Sequence, residues 1–176
     1  MTRIHERRVR LAVLRSRLTK VLALVVFLVT AGTVAPSAAF AASSVVQFQR
    51  VGTPVCIQQT GGNETPLVES LCSSSAPGQR WTWLTGSPGG SKFIPSSAPL
   101  SCLNVQGSSR SAGAKIVVSD CASDLSQAWL IFSTLPSGFI LKNANSGLCV
   151  TRTVAGIVQQ PCVSGTVGQA FLINTV

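Results

Sequence analysis

Tyrosine is absent from these 176 residues, histidine occurs once and acidic residues number five. The single histidine, His5, and one acid, Glu6, fall within the first 41 residues, so the rest of the chain has no imidazole and only Glu64, Glu69, Asp120 and Asp124 as carboxylates. Without imidazole or phenol, triad chemistry and most general-base chemistry lack their central group. The four acids fall in pairs five and four residues apart, on expected loop or strand-end positions. That spacing suits solvated side chains better than a poised glycosidase pair. No Cys-x-x-Cys pair occurs, which leaves zinc without a ligand pattern. The glycine-rich run Gly86-Ser87-Pro88-Gly89-Gly90 lacks the Lys-Ser/Thr of a phosphate loop and reads as a connection between repeats. The expectation is a chain with no catalytic residues, no metal and no cofactor.

Positive charge is abundant but unevenly placed. Residues 1–41 hold Arg3, Arg7, Arg8, Arg10, Arg15, Arg17 and Lys20, followed by an apolar run over 21–35 and the small-x-small sequence Ala39-Phe40-Ala41. This order of basic, apolar and small residues is that of a secretory signal peptide, with cleavage expected before Ala42 and a secreted, extracellular product. The competing reading is an uncleaved signal anchor, because 21–42 approaches the length of a membrane span; Pro36 and its small neighbours weaken that helix. Once the leader is removed, no stable membrane span is expected. Residues 42–176 carry seven Lys or Arg against four acids, so the formal charge of +9 falls to +3. Arg50, Arg80, Lys92, Arg110, Lys115, Lys142 and Arg152 are scattered along the chain, which argues against a nucleic-acid partner.

All six cysteines lie beyond the leader, an even count suited to disulfides formed in an oxidising compartment. Fifteen pairings are possible in principle. Spacing narrows them, because Cys56/Cys72, Cys102/Cys121 and Cys149/Cys162 recur at matching places in three units of about 45 residues, 45–91, 92–137 and 138–176. Phe48, Phe93 and Phe139 lead the units, and Gln79-Arg80-Trp81, Gln127-Ala128-Trp129 and Gln169-Ala170-Phe171 close them. Such self-similarity indicates one structural unit stacked three times.

Each unit holds four short β-favouring runs separated by Gly, Pro, Ser and Asn: 45–51, 54–59, 67–72 and 80–85; 92–96, 101–106, 114–121 and 127–134; 138–143, 148–153, 156–162 and 169–174. Twelve strands in threes of four describe a barrel capped by hairpins. Trp81, Trp129 and Phe171, with Trp83, Ile131 and Ile173 two residues on, share a strand face and read as core. Phe48, Phe93 and Phe139 read as a third equivalent core set, while Phe132 has no such account.

A unit such as Cys102-Leu103-Asn104-Val105, with a cysteine 13 to 19 residues after the first and Q-x-aromatic beyond it, resembles the ricin B-chain lectin repeat. The resemblance covers 45–176 and implies an all-β, pseudo-threefold β-trefoil with three disulfides, each within one repeat. It also implies that the aromatic packs in the core and the glutamine holds backbone.

Family members that bind galactose-like sugars use an Asp after the first cysteine, a stacking aromatic before the second and an Asn before Q-x-W. A carboxylate accepts sugar hydroxyls in charge-assisted bonds, and a ring covers the apolar pyranose face. Here the Asp position holds Gln58, Asn104 and Thr151, the aromatic position Ser70, Ser119 and Gln160, and the Asn position Gly78, Ser126 and Gly168. The second repeat departs least, so Asn104, Ser119, Asp120, Ser126 and Gln127 are its candidate sugar contacts, with Gln58 and Thr151 the counterparts in the other repeats. The alternative for Asn104 is a turn residue of its hairpin, and for Asp120 and Asp124 solvated loop acids. The resemblance implies a carbohydrate-binding module of weak or altered sugar specificity, with a glycan or glycoprotein partner. The alternative is a trefoil that has kept its scaffold, lost its sugar pockets and serves a protein partner.

Overall fold

The computed structural model describes residues 43–134 and 138–176; the expected leader, 1–41, lies outside them. The first repeat forms β1 (Ser43–Arg50), β2 (Val55–Gln58), β3 (Val68–Leu71) and β4 (Trp81–Ser87). The second forms β5 (Gly90–Pro95), β6 (Ser101–Val105), β7 (Ile116–Asp120) and β8 (Trp129–Ser133), and the third β9 (Phe139–Asn143), β10 (Cys149–Thr153), β11 (Gly156–Gln160) and β12 (Phe171–Thr175). All twelve expected strands are present. Most starts shift by one or two residues from those expected; β4, β8 and β12 begin later, at the aromatic, because each preceding glutamine ends a short 3-10 turn.

Antiparallel pairing joins β1 to β4, β4 to β5, β5 to β8, β8 to β9, β9 to β12 and β12 back to β1, which closes a six-stranded ring. Closure removes the free sheet edges of the barrel. The other six strands pair as three hairpins, β2 with β3, β6 with β7 and β10 with β11. This is the β-trefoil that the repeat implied. The run Gly86 to Gly90 is a tight β4–β5 turn in which Pro88 precedes Gly89 at φ 82°, a conformation that glycine adopts without strain.

Register gives the threefold equivalences. Val46, Ser91 and Phe139 pair with Trp81, Trp129 and Phe171, whereas Arg50, Pro95 and Asn143 pair with Phe171, Trp81 and Trp129 on the other side. Two residues before that second set lie Phe48, Phe93 and Leu141, all buried. Leu141 therefore takes the third core place expected for Phe139. Phe139 sits one pleat earlier on the same strand face and is only half-buried.

The barrel core centres on Trp81, Trp129 and Phe171, none more than 1% exposed, with Phe48 and Phe93 in an edge-to-face contact of 4.8 Å. Trp83, Ile131 and Ile173 pack against it but remain partly exposed, and Phe132 is exposed. Cys56–Cys72, Cys102–Cys121 and Cys149–Cys162 each bridge one repeat across 16, 19 and 13 residues, loops for which a staple contributes about 3 kcal/mol in the chain-entropy model.

The register makes a measurable distinction. Leu141→Ala should cost about 2–5 kcal/mol in urea unfolding, and Phe139→Ala less, although it deletes the larger side chain. The opposite ranking would contradict the equivalence of Leu141 with Phe48 and Phe93.

Candidate functional site

Each repeat buries one glutamine that grips the backbone on both sides of its second cysteine. Gln79 Nε2 donates to the Leu71 carbonyl at 2.9 Å, and its Oε1 accepts from Ser73 N–H at 2.7 Å, flanking Cys72. Gln127 does the same with Asp120 O and Ala122 N–H, both at 2.8 Å, and Gln169 with Pro161 O and Val163 N–H, both at 2.8 Å. An amide suits the task because it offers donor and acceptor on one planar group, and buried backbone groups require partners.

A further contact from the same amide runs toward the candidate site. Gln79 Nε2 donates to Gln58 Oε1 at 3.1 Å, Gln127 Nε2 to Ser119 Oγ at 3.1 Å and Gln169 Nε2 to Thr151 Oγ1 at 2.9 Å. In the second repeat Asn104 Nδ2 donates to the same Ser119 hydroxyl at 2.6 Å, and Asn104 Oδ1 accepts from Val105 N–H at 2.8 Å. Asn104, Ser119 and Gln127 thus form one network, and Asn104 is 5% exposed. Thr151 is similarly enclosed, its hydroxyl donating to Cys149 O at 2.9 Å while accepting from Gln169.

The remaining candidates point elsewhere. Asp120 accepts from Asn63 Nδ2 of the first repeat, and Asn63 Oδ1 accepts from Ser101. Ser126 is fully buried and its hydroxyl lies 3.0 Å from that of Ser108. Gly78 and Gly168 stand where the sugar-binding Asn was expected because facing backbone comes close. A Cβ there would meet the Gln59 carbonyl oxygen at 2.1 Å or that of Arg152 at 2.9 Å.

The sequence model described as the ricin-type beta-trefoil lectin domain matches residues 44–174. The chain belongs to this family. No curated protein sequence matches it. Among solved structures, the designed threefold protein ThreeFoil superposes with a TM-score of 0.65 at 18% identity, over 75% of this chain and 99% of that one. The Polyporus squamosus lectin, solved with a human-type influenza-binding epitope, gives 0.65 at 14% identity over 76% of this chain and 49% of the lectin. An exo-beta-1,3-galactanase from Clostridium thermocellum gives 0.65 at 15% identity over 76% of this chain but 30% of the enzyme. At these identities the likeness is one of fold, and this chain spans half or less of the latter two proteins.

In this ricin-type trefoil the three pocket positions hold no carboxylate and no ring, and Asn104 and Thr151 spend their polar atoms inside the domain. Among the described residues no group of His, Cys, Asp or Glu is arranged to hold a metal ion, and no helix is long and apolar enough to cross a membrane. Asp124, expected as a solvated acid, caps the 3-10 turn before β8. It accepts from Ser126 N–H at 2.9 Å and from the Ser108 hydroxyl at 2.8 Å. These bonds, the backbone one foremost, hold its carboxyl below the usual carboxylate range. Glu69 lies on β3, its side chain 11% exposed, and meets both Arg50 and Arg152. The sequence offered little sign of this, since those partners are 19 and 83 residues away.

Two variants test the site's construction. Gln127→Ala leaves Asp120 O and Ala122 N–H without their partner and should cost about 1–3 kcal/mol in denaturant unfolding; a neutral result would mean that water replaces the amide. For Asp124 the folded pKa is depressed, so its contribution is fully present above the unfolded value of about 3.9 and fades as pH falls through the lower folded one. The melting-temperature gap between wild type and Asp124→Asn should hold from pH 7 to 5 and close toward pH 2. A gap independent of pH would remove Asp124 as an ionised cap.

Proposed function

We propose that this chain is a secreted carbohydrate-binding module whose sugar recognition departs from the galactose type. Family membership supports the carbohydrate-binding part, and the basic, apolar and small-residue order of residues 1–41 supports export. The observation that carries the altered specificity is the state of Asn104. It occupies the place of the sugar-binding carboxylate, yet it is buried and bonded to Ser119 and Val105. A sugar hydroxyl there would compete with internal bonds, and no ring stands by to cover a pyranose face.

The second reading is a trefoil that binds a protein partner. The lack of a ring at Ser70, Ser119 and Gln160 favours it, together with the enclosed hydroxyl of Thr151. A glycan array separates the two. Binding competed by a free sugar supports the first reading, and its loss on Asn104→Ala would locate it in the second repeat. A blank array, together with a protein co-purifying from the native host medium, would reject it in favour of the second.

A further inference from the structure

The third strand of each repeat faces a neighbouring repeat, and one equivalent position meets the seam in three different ways. Glu69, Val118 and Gln159 pair with Ile57, Leu103 and Val150, so register makes them counterparts. Gln159 is bonded to the Ser109 and Ser111 carbonyls, and Val118 is buried apolar surface. Glu69 alone carries charge, holding Arg50 Nε at 2.8 Å through Oε1 and Arg152 Nε at 2.9 Å through Oε2.

This arrangement leaves cationic capacity unspent. A guanidinium has five N–H donors, and each arginine uses only its Nε here. Among the described residues neither terminal Nη pair makes a hydrogen bond. Arg152 is 37% exposed at its side chain, so the free edge of its fork reaches solvent. Two guanidiniums against one carboxylate give a local charge of +1. Lys115, bonded to the Ala155 carbonyl with Nζ 3.7 Å from where a Gly156 Cβ would stand, raises it to +2.

The charges border a cavity of about 240 Å³ lined by Leu67, Val68, Glu69, Arg152, Gly156 and Ile157. Arg152 pairs with Ile157 across the β10–β11 hairpin, which puts both on the cavity side. Val68, 41% exposed, supplies apolar surface on the first-repeat wall. Pockets for drug-sized ligands begin at about 300 Å³, so this volume suits a single small ring. Both Glu69 oxygens already face guanidinium groups, which mutes their repulsion of an anion.

We propose that this seam binds a carboxylate-bearing sugar, a uronate unit, whose carboxylate takes the free fork of Arg152 while its C–H face rests on the exposed side chain of Val68. A planar fork matches a carboxylate with two parallel bonds, which a lysine ammonium does not. The inference rests on the carbohydrate-binding reading above but uses none of the positions at which galactose-binding relatives hold their sugar.

Calorimetric titration of the intact secreted domain with trigalacturonate, its methyl ester and inorganic sulfate tests it. Trigalacturonate should bind, the uncharged ester at least about tenfold more weakly, as loss of a charged hydrogen-bonded pair implies. Arg152→Gln should weaken trigalacturonate binding by a similar factor, and Arg152→Lys should restore only part. Thermal melts of both variants confirm that the domain stays folded, and Asn104→Ala should leave uronate binding unchanged. Equal binding of acid and ester, undiminished binding by Arg152→Gln, or equal competition by sulfate at the same concentration would overturn the assignment. The last would leave a bare anion site. Neutral-glycan binding lost on Asn104→Ala without uronate binding would overturn this site alone, whereas no binding of any glycan would overturn the carbohydrate reading with it.

Discussion

The buried glutamine amide of each repeat is the contact on which the rest of the trefoil depends. By gripping the residues before and after the second cysteine, Gln79, Gln127 and Gln169 fix the end of each hairpin against the turn that launches β4, β8 and β12. The next residue but one is then the large core side chain, so the amide also sets where the barrel wall begins. Three copies of one local solution generate the whole domain, and the disulfide beside each clamp limits how far the hairpin can stray in the unfolded chain.

That same amide reaches into the place where relatives bind sugar, which explains what a substitution there changes. A carboxylate in that place has about four lone-pair sites, enough to accept from the glutamine and still receive sugar hydroxyls. Thr151 has a single hydroxyl, already donating to Cys149 O and accepting from Gln169. Asn104 keeps its oxygen on Val105 N–H and its nitrogen on Ser119. The scaffold's need is met in all three repeats, while the capacity left over for a ligand shrinks. Fold and ligand would draw on the same amide here, and the fold's claim on it is met in every repeat.

The features legible in the chain were those written by repetition. Cysteine spacing, Q-x-aromatic and punctuated β runs each occur three times, so one ambiguous instance is corrected by the other two. The exception is instructive: Phe139 keeps the spacing of Phe48 and Phe93, yet Leu141 fills the core. A shift of two residues preserves the strand face, so alternation cannot detect it; only pairing with Trp129 and Phe171 assigns the layer. The closed hydrogen bonding of Asn104 was equally hidden, because residue type states what a side chain can bond and not which partner reaches it first.

What repetition cannot encode lies at the seams. Glu69, Val118 and Gln159 share one structural place, but Glu69 reaches Arg152 and Gln159 reaches Ser109 and Ser111 in other repeats, contacts that follow no internal period. An ion triad, an apolar contact and an amide network solve the same packing problem at three seams. Burying one carboxylate costs less when two guanidiniums share it, and each guanidinium keeps donors to spare. A threefold scaffold can therefore vary one seam without disturbing the clamps that hold the other two, which makes the seams, rather than the repeated motifs, the part of this domain most open to new recognition.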